Sequence, residues 1–498
     1  MQLQFNKTSI RCLETVLQQA QNGEVTQELR LPEGMPDIGR VLTTWGQIVI
    51  RSKQWQADTI QVTGGVLLWT LYAPEDGTEP RSVDSWLPFQ LSWSLPEPKR
   101  EGPMRVLPLL SSADSRSISA RKLMLRANVS VLVQAMSPME AEIYSSGEIP
   151  DDVQLLKRTY PLRIPVEGGE KPFLIDEELI LPEIGIEAQK LLSLTVSPDI
   201  TEKRVLTDKV IFKGILTLRT VCRYEDGEIR SADLTVQFSQ MSDLDSTYGS
   251  DAGVDIRMAV TSLEADMPQN GKVRFKCGLV AQYLLDDRHV LELVQDAYST
   301  QRQIELEGKA LRIPAILDER MEYLQAEQSI PSSGRVADVR FMQNQPQRRQ
   351  TAQGVDLELS GHFNLLAYED DGMLHGMTSR WEGTMQLCAD GCCDPLVTVK
   401  PTGRVQITSS ADDLNMSTQL QISMQTGKME QLPMITAIEL GAMNESESAA
   451  PSVILLRGSG ELLWNLAKQS NSTVSAICDA NGIETDVAPD RMILIPIL

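Results

Sequence analysis

The chain repeats itself at a period of about 150 residues. Leu31-Pro32-Glu33 recurs as Leu181-Pro182-Glu183 and, more loosely, as Ile330-Pro331. Gly64, Gly214 and Gly361 follow at matching offsets, and each stretch then runs into an acidic turn: Glu75-Asp76-Gly77, Glu225-Asp226-Gly227 and Asp370-Asp371-Gly372. A further marker, Leu162-Arg163-Ile164-Pro165, returns as Leu311-Arg312-Ile313-Pro314. A period of this length is a domain-sized unit, so the 498 residues hold three such units and a remainder.

The pattern inside the units has period two. Val355, Leu357, Leu359, Phe363 and Leu365 share one parity, with Asp356, Glu358, Ser360, His362 and Asn364 on the other. Val210, Phe212, Leu216, Leu218 and Cys222 do the same in the second copy. Alternation of this kind marks half-buried strands, and an Asp-Gly turn supplies the positive φ that joins two antiparallel strands. The expectation is a mainly β chain of three tandem β-sandwich or barrel-like repeats, at 24–165, 166–314 and 315–440, followed by a small βααβ domain.

Outside the repeats, Ile10, Leu13, Val16 or Leu17, and Ala20 fall at helical spacing after Thr8 and Ser9 and end at Gly23, which predicts an amphipathic helix in residues 1–23 docked on the first repeat. Residues 441–451 are small and acidic and read as a linker. Residues 452–498 read as strand, helix, helix, strand, with Thr473 capping the second helix and Trp464 at the centre of a compact core.

Charge excludes one class of partner. The net charge is −22, and the short basic run at Arg348 and Arg349 sits among glutamines, so no stripe is available to hold a phosphate backbone. Nucleic acid is not expected. Neither a secretory signal nor a run of about 18 apolar residues is present, so a cytoplasmic chain without membrane insertion is expected. The seven cysteines are scattered and read as reduced thiols.

Searches for catalytic constellations find none. The three histidines, His289, His362 and His375, match no metalloprotease pattern, Gly271-Lys272 lacks the upstream glycine of a phosphate loop, and no acid–base pair stands at a defined spacing. No cofactor is expected. Cys388, Cys392 and Cys393 lack the two-knuckle spacing of a zinc site, whereas a turn at Asp390-Gly391 sets Cys388 opposite Cys393. No metal and no enzymatic activity are therefore expected.

Two resemblances sharpen these expectations. Gly460-Glu461-Leu462-Leu463-Trp464-Asn465-Leu466-Ala467-Lys468, with Ala480-Asn481-Gly482-Ile483 and Met492 to Pro496, resembles the LysM family. The resemblance implies a groove between the loop of Gly460, Glu461, Leu462 and Leu463 and the loop of Asn481, Gly482 and Ile483, a groove that commonly takes N-acetylglucosamine polymers. Here Leu462 stands where a hydroxyl residue is usual, which suits a protein ligand better than a sugar needing placed hydrogen-bond partners.

Leu31-Pro32-Glu33-Gly34-Met35-Pro36-Asp37-Ile38, together with the tandem repeats and the LysM-like tail, resembles the spore-coat morphogenetic proteins with SPOCS domains. That resemblance implies a non-enzymatic scaffold in the mother-cell cytoplasm, recruited to the forespore surface, with a morphogenetic ATPase of the coat basement layer as its protein partner. The alternative is a cell-wall protein that binds peptidoglycan. Strand edges in tandem β-domains leave homo-oligomers open.

Overall fold

The computed structural model describes residues 2–182, 186–266, 269–332, 334–352, 354–388, 395–410, 413–443 and 452–497. A short strand β1 (Gln2–Gln4) precedes the first unit. That unit comprises β2 (Asn6–Arg30), β3 (Ile38–Gln56), β4 (Thr59–Pro74), β5 (Arg81–Ser94), β6 (Met104–Ser119) and β7 (Lys122–Ser145). The second holds β8 (Val153–Ile180), β9 (Ala188–Leu206), β10 (Lys209–Tyr224), β11 (Ile229–Asp243), β12 (Gly253–Ala265) and β13 (Lys272–Ser299). The third holds β14 (Arg302–Pro331), β15 (Arg335–Gln343), β16 (Gln347–Thr351), β17 (Gly354–Tyr368), β18 (Leu374–Cys388), β19 (Leu396–Ser409) and β20 (Asp413–Met443). The tail is β21 (Val453–Arg457), α1 (Leu463–Gln469), α2 (Val474–Asn481) and β22 (Met492–Pro496). No helix among the described residues is long and apolar enough to cross a membrane.

Each unit is built the same way. A meander of antiparallel strands faces a second sheet, in which the unit's first strand pairs along almost its whole length with its last: β2 with β7, β8 with β13, β14 with β20. The alternating residues read from sequence do face inward, since Val355, Leu357, Leu359, Phe363 and Leu365 are all buried, as are Val210, Phe212, Leu216, Leu218 and Cys222. The acidic turns connect β4 to β5, β10 to β11 and β17 to β18, with Gly77, Gly227 and Gly372 at φ of 72°, 82° and 73°. The three matching glycines have a packing reason. A Cβ on Gly214 would lie 2.3 Å from the Asp199 carbonyl oxygen and 2.3 Å from the Phe238 ring; on Gly64 it would meet the Val49 oxygen and Phe89, and on Gly361 the Met342 oxygen and Phe341.

The Leu31 to Ile38 segment is a fastened loop. Leu31 is buried, and the Arg121 guanidinium on the β6–β7 turn donates to the carbonyls of Pro32 (2.9 Å) and Met35 (2.7 Å) and to the Asp37 carboxylate (2.9 Å). Tyr72 Oη donates to the Pro36 carbonyl at 3.0 Å.

The N-terminal helix expected over residues 1–23 is not formed; those residues belong mostly to β2, where Ile10 faces Ala141 and Ala20 faces Leu132. The physical reason is a bulge. Val16 is an extra residue opposite β7, which flips the inward parity, so Ile10 and Cys12 on one side and Leu17, Val25 and Leu29 on the other all find apolar neighbours. A period of two with one slip imitates helical spacing. Matching bulges occur at Val166 opposite Leu285–Asp286 and at Leu317 opposite Thr426–Gly427.

The expected boundaries at 23/24, 165/166 and 314/315 fall inside β2, β8 and β14, and the chain passes between units at 146–152 and 300–301 instead. Leu162 to Pro165 and Leu311 to Pro314, read from sequence as unit ends, lie within continuous strands just before the bend.

On the near side of these bulges, before β2, β8 and β14 pass them, the three two-stranded ribbons share a core, so the units form one body. Cys12, Ala141 and Ile143 of the first pack with Ile164, Leu291 and Leu293 of the second and Leu311, Ile313, Leu432 and Met434 of the third. Another shared cluster takes three residues from each unit: Leu42, Trp45 and Leu71; Leu192, Val221 and Ile229; Ala337, Leu366 and Leu374. Beside it the Arg340 guanidinium covers the Trp45 ring at 5.5 Å and donates to Thr195 Oγ1 at 3.0 Å, while Trp45 Nε1 donates to Asp338 at 2.8 Å. Burying each large apolar side chain here contributes about 1.5–3 kcal/mol. The ring is closed by β1, whose Gln2, Leu3 and Gln4 pair with Glu439, Ile438 and Ala437 of β20, burying Leu3 and Phe5 against Ile435, Ile438 and Leu440.

Candidate protein-binding site

The tail folds around its own small core. Antiparallel β21 and β22 put Ile493 and Ile495 inward, α1 contributes Leu463, Leu466 and Ala467, and α2 contributes Ile477. Thr473 Oγ1 accepts from the Ala476 N–H at 3.1 Å and so caps α2, as its sequence position predicts. Burial pushes the Cys478 thiol pKa up, consistent with its packing against this core. The strand–helix–helix–strand order expected over 452–498 is present.

The seven candidate residues divide sharply. Gly460 adopts φ 87° and donates its N–H to the Ala488 carbonyl, Glu461 accepts from the Ala488 N–H at 2.8 Å, and Leu463 is buried and donates to the Asp486 carbonyl at 2.9 Å. This loop is therefore laced to residues 486–488. Asn481 is spent inside the fold: its carboxamide donates to the Ile477 and Leu494 carbonyls and accepts from the Leu494 N–H at 2.7 Å. Gly482 terminates α2 in the left-handed region at φ 62°, and Ile483 donates back to Cys478 at 3.1 Å. Only Leu462 offers a large free side chain; it is 50% exposed and forms an isolated bridge with Val487, itself 42% exposed.

Sequence reasoning missed two surfaces. On the outer face of the β21–β22 pair, Val453, Leu455, Met492 and Leu494 are all exposed, which the apolar run Val453 to Leu456 conceals because it lacks alternation. The other is a seam with the second unit. Trp464 is not the centre of the tail's core; it stands at this seam, edge-on to Tyr298 with ring centroids 4.8 Å apart, and its Nε1 donates to Asp296 at 2.9 Å. Lys468 Nζ reaches the same carboxylate at 2.7 Å, and Tyr298 Oη donates to the Ser472 carbonyl at 2.7 Å. A bulge at Gln295, opposite Lys157 and Leu156, re-aims the end of β13. Burial raises the Asp296 carboxyl pKa, but Lys468 and the Trp464 N–H outweigh it and hold the group below 3.8.

The expected Cys388–Cys393 apposition needs Cys393, which lies outside the described residues, as do most of the 441–451 linker and Glu183 of the second Leu-Pro-Glu marker. No curated protein and no solved structure matches the chain. A family model does match part of the second unit, the stretch that holds β9 to β12 and excludes the long strands on either side. Residues 187–268 match the family described as SipL, SPOCS domain, which relates the chain to the proteins of sporulation and the spore coat.

Proposed function

We propose that the protein is a non-enzymatic scaffold of spore-coat assembly, acting in the mother-cell cytoplasm and at the forespore surface. In this reading the tail contacts a morphogenetic ATPase of the coat basement layer. The SPOCS match at 187–268 supports the setting. The observation that carries the mode of binding is the division among the candidate residues: the carboxamide of Asn481 is consumed within the module, whereas apolar Leu462 is left at the surface beside Val487. Apolar surface whose two residues are each preceded in the chain by an acid, Glu461 and Asp486, suits a protein partner with an apolar ridge and basic flanks.

The test compares the intact chain with Leu462→Lys on two immobilised probes, the purified ATPase and purified peptidoglycan. The scaffold reading expects ATPase binding weakened about tenfold or more by the substitution, equal to about 1.4 kcal/mol. Retention by peptidoglycan alone, lost on substitution, would establish the cell-wall alternative instead.

A further inference from the structure

Where the three units meet lies a cleft of about 720 Å³, walled by Leu107 to Leu109 of β6, Ser197 to Thr201 of β9, Asp255 to Met258 of β12 and Val397 to Lys400 of β19. Strands β9, β12 and β19 each have a single hydrogen-bonded neighbour, β10, β13 and β20 respectively. Apart from the Val399 carbonyl, which accepts from Gln343 Nε2, and Pro198, which has no N–H, the outward edges of these strands carry main-chain groups without a strand partner. Ser197, Asp199 and Thr201 are exposed, so the cleft opens along β9. Four or five residues of strand give walls about 13–17 Å long.

The charges of the lining are already engaged. Asp255 is held by Arg257 at 2.9 Å and lies 3.7 Å from Lys203, and Lys400 pairs with Asp199. Arg320 pairs with Asp318, and Glu319 lies 3.4 Å from Arg163. What is not engaged is an amide. Gln425, only 8% exposed, lines this cleft and a neighbouring cavity of about 340 Å³, and its carboxamide makes no hydrogen bond among the described residues. The contrast with the first unit is direct. There the matching residue Gln134 faces Arg105, accepts from its Nε at 2.9 Å and donates to Gln18 at 3.0 Å; Gln425 faces Leu396, which offers nothing.

We propose that this cleft accepts a short extended peptide segment with uncharged side chains, which adds to the free edges of β9 and β19 and hydrogen-bonds the Gln425 carboxamide. Main-chain bonds to the strand edges hold such a segment, and the apolar lining of Pro198, Ile200, Ile256 and Val399 takes its alternate side chains.

The experiment titrates the full chain with a terminally blocked Val-Thr-Val-Thr peptide and follows backbone hydrogen exchange. At a peptide concentration about ten times its Kd, exchange in 197–201 and 397–400 slows about tenfold. The protection disappears in Gln425→Leu, which copies the leucine at the matching position of the second unit, Leu284, and in Met258→Trp, which fills the cleft; thermal melting of each variant reports whether the fold is kept. A blocked Glu-Thr-Glu-Thr peptide gives no protection. Absence of protection in the native chain, protection that survives in a folded Gln425→Leu variant, or equal protection by the acidic peptide would each overturn the proposal.

Discussion

Trp464 donates its indole N–H to Asp296, joining residues 168 positions apart and seating the tail on the end of β13. Asp296→Ala removes the acceptor of both Trp464 and Lys468. Charge-assisted bonds contribute about 1.5–3 kcal/mol, so docking weakens by that order while the units keep their fold. Limited proteolysis between Met443 and Val453 is the measurement, and an unchanged cleavage rate would show that the seam contributes little.

The same carboxylate gives the seam a pH dependence with a definite sign. Its pKa in the docked state lies below the ordinary 3.8, so the stabilisation is fully present above 3.8 and is lost as pH falls from there through the lower docked value. Acid release of the tail is expected below pH 3.8, followed by Trp464 fluorescence against a Trp464→Phe control.

Arg105 is wholly buried and donates to Asp255 at 2.6 Å across the boundary of the first and second units. Burial raises the Asp255 carboxyl, and Arg257, Arg105 and Lys203 outweigh it, holding it well below the usual carboxylate range. Asp255→Ala leaves a buried guanidinium short of its counter-charge and costs about 3–5 kcal/mol, measured by chemical denaturation. Replacing both partners, Arg105→Met with Asp255→Leu, recovers most of that loss; failure to recover it would assign the cost to packing.

Gly214→Ala forces a Cβ against the Asp199 carbonyl and Phe238, an overpacking cost of about 1–3 kcal/mol. Adding Phe238→Leu relieves only part of it, because the Asp199 carbonyl belongs to the backbone of the paired strand. A melting series of the two single variants and the double variant reads this directly.

The strands and turns were legible because their signals are local. Alternation at 355–365 and the Asp-Gly turns need no distant partner to be read, and Thr473 as a cap depends only on its neighbours. What escaped was set by distant contacts. The bulge at Val16 disguises a strand as a helix, and Pro165 and Pro314 look like boundaries although β8 and β14 continue through them. Nothing local singles out Arg105 and Arg340, yet the first is buried and the second part-buried where units meet, beside Asp255 and Asp338. At the tail, sequence pointed to both loops but not to Val487, nor to the seam partners Asp296 and Tyr298, which lie in another unit.

The pairing of Gln2 to Gln4 with Ala437 to Glu439 imposes an order on synthesis. The ribosome delivers the clasp well before its keeper, with roughly 20–90 s between them at ordinary elongation rates. Through that interval Leu3 and Phe5 have no resting place, and a chaperone or a neighbouring nascent chain can reach them.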